Sequence, residues 1–104
     1  MLLVITLFAM PAYAQDHPVT LGTSPTVLSI PNTFRVLAID NEAATGGNAI
    51  ACAFYGSTPS LNSAGSWTIM PGDTRVWAGA ATPSGPTTCV AGGTGTPVTV
   101  EALQ

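Results

Sequence analysis

Two cysteines, Cys52 and Cys89, are the side chains of this chain best able to do covalent chemistry. In an oxidising compartment they can join as a Cys52–Cys89 disulfide, and closing a loop of that length would contribute about 3–4 kcal/mol. In a reducing compartment they would remain thiols that pack as small apolar residues. Adding His17 does not turn them into a zinc site, because three ligands at this spacing are too few and too scattered.

His17 stands alone near the start of the chain and suggests neither a Ser-His-Asp nor a Cys-His arrangement; it reads as an exposed residue of a mobile terminus. The carboxylates Asp40, Glu42, Asp73 and Glu101 fall in turns or at expected strand ends, where charged groups ordinarily meet water. A glycosidase would need two of them across a substrate cleft, for which so small a domain has little room. Asp40-Asn41-Glu42 could offer oxygens to Ca²⁺, but other ligands at a suitable spacing are missing and a solvated turn is the reading. Gly92-Gly93-Thr94-Gly95 precedes an expected strand and has no lysine to reach a phosphate, so it is a turn. These residues lead to an expectation of no catalytic group, no metal and no cofactor.

The aromatic residues Phe54, Tyr55, Trp67 and Trp77 are the remaining candidates. Large aromatics in small β domains usually fill the core, so Trp67 is expected beside Ile69, with Trp77 shielding the stem of Arg75 or filling a subunit contact. An exposed Trp77 would instead point to binding, with Trp77, Tyr55 and Arg75 as the candidate surface.

Composition narrows the classes further. The chain has 104 residues, of which 7% are charged against about 25% in an ordinary soluble domain. With 46% hydrophobic residues and a net charge of −3, it is too apolar and too weakly charged to be disordered. Its two cations, Arg35 and Arg75, cannot form the basic stripe on which nucleic-acid binding relies.

The elements that must position these residues are strands. Residues 1–14 read as the end of a secretory leader: an apolar run, Leu2–Met10, then Pro11 and Ala12-Tyr13-Ala14 as an A-x-A cleavage pattern exposing Gln15. No basic residue precedes the run, so a start at Met10 is the other reading. The run is too short to span a bilayer. From Gln15 onward a single domain is expected.

Short strands are expected at Val19–Leu21, Thr26–Ile30, Phe34–Ile39, Asn48–Gly56, Ser66–Met70, Thr74–Ala78, Cys89–Ala91 and Pro97–Ala102. Asn48–Gly56 carries no charge and reads as a strand buried on both faces, while Val98 and Val100 should point inward from the last strand. Asp40–Asn48, Gly56–Gly65 and Gly79–Thr88 are expected loops, and Pro71-Gly72-Asp73 is a turn signature. No helical period is visible, which predicts an all-β fold: a small antiparallel β-sandwich or jelly roll of seven to eight strands.

The order of these pieces resembles small accessory structural proteins of tailed phages and prophages, which decorate heads, form head fibres or join virion parts. The resemblance runs through Pro31-Asn32, Arg35-Val36-Leu37-Ala38-Ile39-Asp40-Asn41 and Ile50-Ala51-Cys52-Ala53-Phe54. It continues in Leu61-Asn62-Ser63-Ala64-Gly65-Ser66, Ile69-Met70-Pro71-Gly72, Cys89-Val90-Ala91 and Thr96-Pro97-Val98-Thr99-Val100-Glu101, covering residues 25–102. It implies a non-enzymatic virion subunit that assembles onto other virion proteins or onto copies of itself. The alternative is an exported binding module for glycans or a cell-surface partner, secreted or periplasmic after cleavage between Ala14 and Gln15.

Overall fold

Alternating apolar residues and closely spaced turn signals commit this chain to strands, and strands this short gain stability only when two sheets bury one another. The computed structural model describes residues 14–28, 36–79, 82 and 86–103, and for residues 14–17 and 103 the backbone alone. The described chain forms eight strands: β1 (Ala14–Leu21), β2 (Thr26–Val27), β3 (Val36–Asn41), β4 (Ile50–Phe54), β5 (Trp67–Ile69), β6 (Thr74–Ala78), β7 (Thr87–Ala91) and β8 (Thr96–Leu103). The proposed leader up to Tyr13, the Pro31-Asn32 turn and Arg35 lie outside the described residues.

The strands make two antiparallel four-stranded sheets, ordered β1-β8-β3-β6 and β2-β7-β4-β5. In each sheet early strands pair with late ones, β1 with β8, β2 with β7, β3 with β6 and β4 with β5, as though one long hairpin had been rolled up. That nesting is the strand order of a jelly roll, the narrower of the two expected architectures.

The core lies between the sheets. Leu37 and Ile39 of β3 and Val98 and Val100 of β8 meet Ile50 and Cys52 of β4, Ile69 of β5 and Cys89 and Ala91 of β7. The expected inward pointing of Val98 and Val100 is what the structure has, and β4 is buried on both faces from Ile50 to Ala53. Beside it, all five residues of β7 are buried. The loop leaving β4 runs back along this sheet: Pro59 is buried, and Leu61 reaches the backbone of Gly92 at the end of β7.

Among the expected boundaries that shift, three have a bearing on the site. β3 continues through Asp40 and Asn41, so the connecting loop begins after Asn41 and not at Asp40. β7 begins at Thr87, two residues before the expected Cys89, because Thr87 and Thr88 complete the ladder with Phe54 and Ala53. β1 extends back from Val19 to Ala14, pairing His17 with Val100 along the ladder, so the backbone at His17 belongs to a strand and not to a mobile terminus.

Candidate interaction site

The two cysteines come together. Cys52 on β4 lies directly opposite Cys89 on β7, and the two form a disulfide with Cα atoms 4.1 Å apart. The backbone explains the approach. Gly92 N donates to Ala49 O and Tyr55 N to Pro86 O, which fixes the alternation of the β4–β7 ladder. Cys52 and Cys89 then fall at a non-hydrogen-bonded rung, where opposed side chains are closest. Both are wholly buried, so the bridge is a structural staple.

The aromatic residues gather where β5 and β6, one from each sheet, are joined by the turn through Pro71 and Gly72. Phe54 packs edge-on against Trp77 with centroids 5.0 Å apart, Trp77 packs edge-on against Trp67 at 5.9 Å, and Tyr55 meets Phe54 at 6.4 Å. The row bridges the two sheets and closes this side of the sandwich.

Within that row the structure corrects the expectation for the tryptophans. Trp77, proposed as part of a binding surface, is 7% exposed and belongs to the core, whereas Trp67 is 42% exposed. The reason is register: Trp77 lies opposite Leu37 of β3 and shares its inward direction, while Trp67 lies at the outer end of the short edge strand β5. Arg75 therefore covers Trp67 and not Trp77, with its guanidinium carbon 5.0 Å from the ring centroid. That distance is within cation–π range.

Tyr55 is 66% exposed, in keeping with its proposed place on a surface. It has φ of 59° and is followed by Gly56 at 81°, and Ser57 N donates to Phe54 O at 3.2 Å. This is a tight type I′ turn, and holding an aromatic residue in its left-handed position costs about 1–2 kcal/mol.

Beside Trp67 a half-open groove of about 260 Å³ is lined by Thr68, Ile69, Asp73, Thr74 and Arg75. Thr74 Oγ1 donates to Asp40 Oδ1 at one wall, and Thr68 Oγ1 accepts from Asn62 N at 3.1 Å. The groove thus offers acceptors from Asp73, donors from Arg75 and two hydroxyls. No pair of carboxylates faces across it, and among the described residues no three His, Cys, Asp or Glu side chains gather as a metal site. No described helix is long and apolar enough to cross a membrane.

One residue central to this region is missed by the reading of Asp40-Asn41-Glu42 as a solvated turn. Asn41 is buried, its Nδ2 donating to Ile69 O and Asn48 O, both at 3.0 Å, and its Oδ1 accepting from Ala43 N at 3.1 Å. Its backbone anchors the β5–β6 turn: Gly72 N donates to Asn41 O, Asn41 N to Asp73 O and Asp73 N to Met70 O. With Gly72 at φ of 84°, the turn passes directly into a glycine bulge that sets the start of β6. Position was the usable signal, since Leu37, Ile39 and Asn41 alternate onto one face.

Asn48 has a related role. Its amide donates to Thr96 Oγ1 at 3.4 Å and Thr96 Oγ1 donates to Gly93 O at 3.0 Å, joining the approach to β4 to the β7–β8 turn. A Cβ at Gly93 would lie 2.6 Å from Asn48 Nδ2, so a side chain there would displace the Asn48 amide from Thr96.

No protein-family model matches the chain and no curated protein matches it, so what this site does must be argued from its own residues.

Proposed function

We propose that this protein is a non-enzymatic accessory subunit of a virion-type particle, acting by assembly onto a multimeric partner or onto copies of itself. The observation that carries this reading is the distribution of exposed apolar side chains. Of the five large apolar side chains exposed among the described residues, Trp67, Met70 and Val76 lie on β5, β6 and the turn between them, Tyr55 lies in the turn after β4, and Val27 lies apart on β2. Such a concentration on a weakly charged surface suits contact with another protein. A further feature supports it, the jelly-roll strand order that capsid domains use, whereas the Cys52–Cys89 disulfide favours the exported reading. Sedimenting particles from producing cells on a density gradient, and identifying this chain by mass spectrometry, tests the proposal. Co-migration with capsid proteins is expected, and recovery only among soluble proteins would sink it.

A second reading, an exported glycan-binding module, is favoured by the groove beside Trp67. Sugars are held by a mixture of hydroxyls, a carboxylate and a guanidinium, as Thr68, Thr74, Asp73 and Arg75 provide. Lectin domains also use the jelly roll. Mass spectrometry of the mature protein, reduced and non-reduced, separates the two readings by its N-terminus and by the state of Cys52 and Cys89. A disulfide-bonded chain beginning at Gln15 and retained on polysaccharide supports export, whereas one beginning near Met10 with free thiols supports the particle.

A further inference from the structure

We infer that the outer edge of β6 is a self-pairing surface, through which two copies of this chain join β6 to β6 antiparallel about a two-fold axis at Val76. The inference rests on the assembly reading and names the partner as a second copy.

The sheets end in four edge strands, β1, β6, β2 and β5. Natural proteins blunt such edges with proline, charge, shortness or cover. β1 contains Pro18, β2 has two residues, and β5 has three residues and is crossed by the Asn62 to Thr68 hydrogen bond. β6 has five residues, Thr-Arg-Val-Trp-Ala, with neither proline nor glycine, and among the described residues no strand lies beyond it. Its one charge, Arg75, is drawn onto the Trp67 ring on the other sheet and does not guard the edge.

The direction of the backbone follows from the ladder. Asn41 N donates to Asp73 O on the β6 side of β3, and Glu42 N donates to Pro97 O on the β8 side. Alternation from these two bonds directs the odd-numbered residues of β3 to β6 and the even-numbered ones to β8. Arg75 and Trp77, opposite Ile39 and Leu37, therefore use their N–H and C=O groups on β3. Thr74, Val76 and Ala78 turn theirs outward.

Charge then selects the register. Antiparallel pairing centred on Val76 opposes Val76 to Val76 and Thr74 to Ala78, and each of these pairs can exchange both hydrogen bonds. Arg75 falls opposite the partner strand's Trp77 position, an aromatic and not another cation. Centring on Arg75 would oppose the two guanidinium groups, which is destabilising. Centring on Thr74 would bring Arg75 opposite Asp73, but the N–H groups of Gly72 and Asp73 are already engaged within the chain, so that ladder is shorter. The fully overlapped register thus combines the longest ladder with freedom from like-charge opposition. It is isologous, as a two-fold dimer requires. At its centre stands Val76, 56% exposed and β-branched, a residue type that stabilises cross-strand pairs.

Sedimentation velocity of the full chain over roughly a hundredfold range of concentration tests this, since mass action makes a weak dimer visible as concentration rises. The wild type is expected to shift from monomer to dimer. Val76→Lys opposes two cations at the axis, and Val76→Pro removes an N–H that β3 does not use; each is expected to abolish the shift while leaving the far-ultraviolet circular dichroism and melting transition unchanged. Val27→Lys, at the other exposed valine, should dimerise as the wild type does. A wild type that remains monomeric throughout, or a Val76→Lys protein that folds and still dimerises, overturns the inference. If the wild type stays monomeric yet co-sediments with particles, self-pairing at β6 falls and the assembly reading stands. Dimerisation through β6 without co-sedimentation sustains the self-pairing and removes the particle.

Discussion

The side-chain amide of Asn41 donates to the carbonyl oxygen of Ile69 at 3.0 Å, tying the end of β3 in one sheet to the end of β5 in the other. The same nitrogen donates to Asn48 O, so one buried amide holds three segments. Asn41→Ala should lower stability by about 2–3 kcal/mol, because it leaves the buried Ile69 carbonyl, the part-buried Asn48 carbonyl and the Ala43 N–H without this partner. Asn41→Asp should cost more than Asn41→Ala, since it retains the size but turns a carboxylate oxygen toward carbonyl oxygens. Urea unfolding of the variants checks both statements, and an Asn41→Asp protein as stable as the wild type would refute the two-carbonyl role.

The opposed cysteines give a second expectation. The bridge spans 37 residues of sequence, and closing a loop of that length restricts the unfolded chain by about 3–4 kcal/mol. Reduction of the wild type should lower its urea midpoint by the corresponding amount, whereas a Cys52→Ala, Cys89→Ala protein should be insensitive to reductant. The reduced chain should still fold, because thiols opposed across a buried rung pack as small apolar groups.

Much of the architecture was legible in the sequence. The uncharged run from Ile50 to Phe54 marked a strand buried on both faces, Val98 and Val100 marked the inward face of β8, and Pro71-Gly72 marked the turn into β6. What local patterns do not carry is register. Alternation says that Trp67 and Ile69 share a face, but only pairing shows that Trp67 stands at the end of an edge strand while Trp77 faces Leu37. The two tryptophans therefore exchange the roles expected of them, and Arg75 covers the other ring. Asn41 was hidden differently: a polar residue between two acidic ones resembles a solvated turn, although its place two residues beyond Ile39 puts it on the core face.

Thr87 offers a prediction of opposite sign. Its side chain is wholly buried on β7, and Oγ1 has no hydrogen-bond partner among the described residues. A buried hydroxyl without a partner retains the cost of leaving water. Thr87→Val, nearly the same in volume, should raise stability by about 1 kcal/mol in urea unfolding. Thr87→Ser retains the hydroxyl and removes a buried methyl, so it should lower stability. A Thr87→Val protein clearly less stable than the wild type would mean that Oγ1 does find a partner.

The two tryptophans can be told apart by both energetics and light. Trp77 is buried between Phe54 and Trp67, so Trp77→Ala should cost about 3–5 kcal/mol, the range for emptying an aromatic site in a core. Trp67 is 42% exposed with Arg75 over its ring, and its removal should cost far less, since an exposed cation–π contact contributes only about 0.5–1 kcal/mol. Fluorescence separates them without unfolding the protein. Trp67→Phe leaves the buried indole and should shift emission to shorter wavelength and resist quenching by iodide, while Trp77→Phe leaves the exposed one and should do the reverse. Arg75→Gln should make Trp67 easier to quench by neutral acrylamide, because it removes the guanidinium that covers one face of the ring. An unchanged quenching constant in Arg75→Gln would show that the stack does not persist in solution, and Arg75 would then be available to guard the edge of β6.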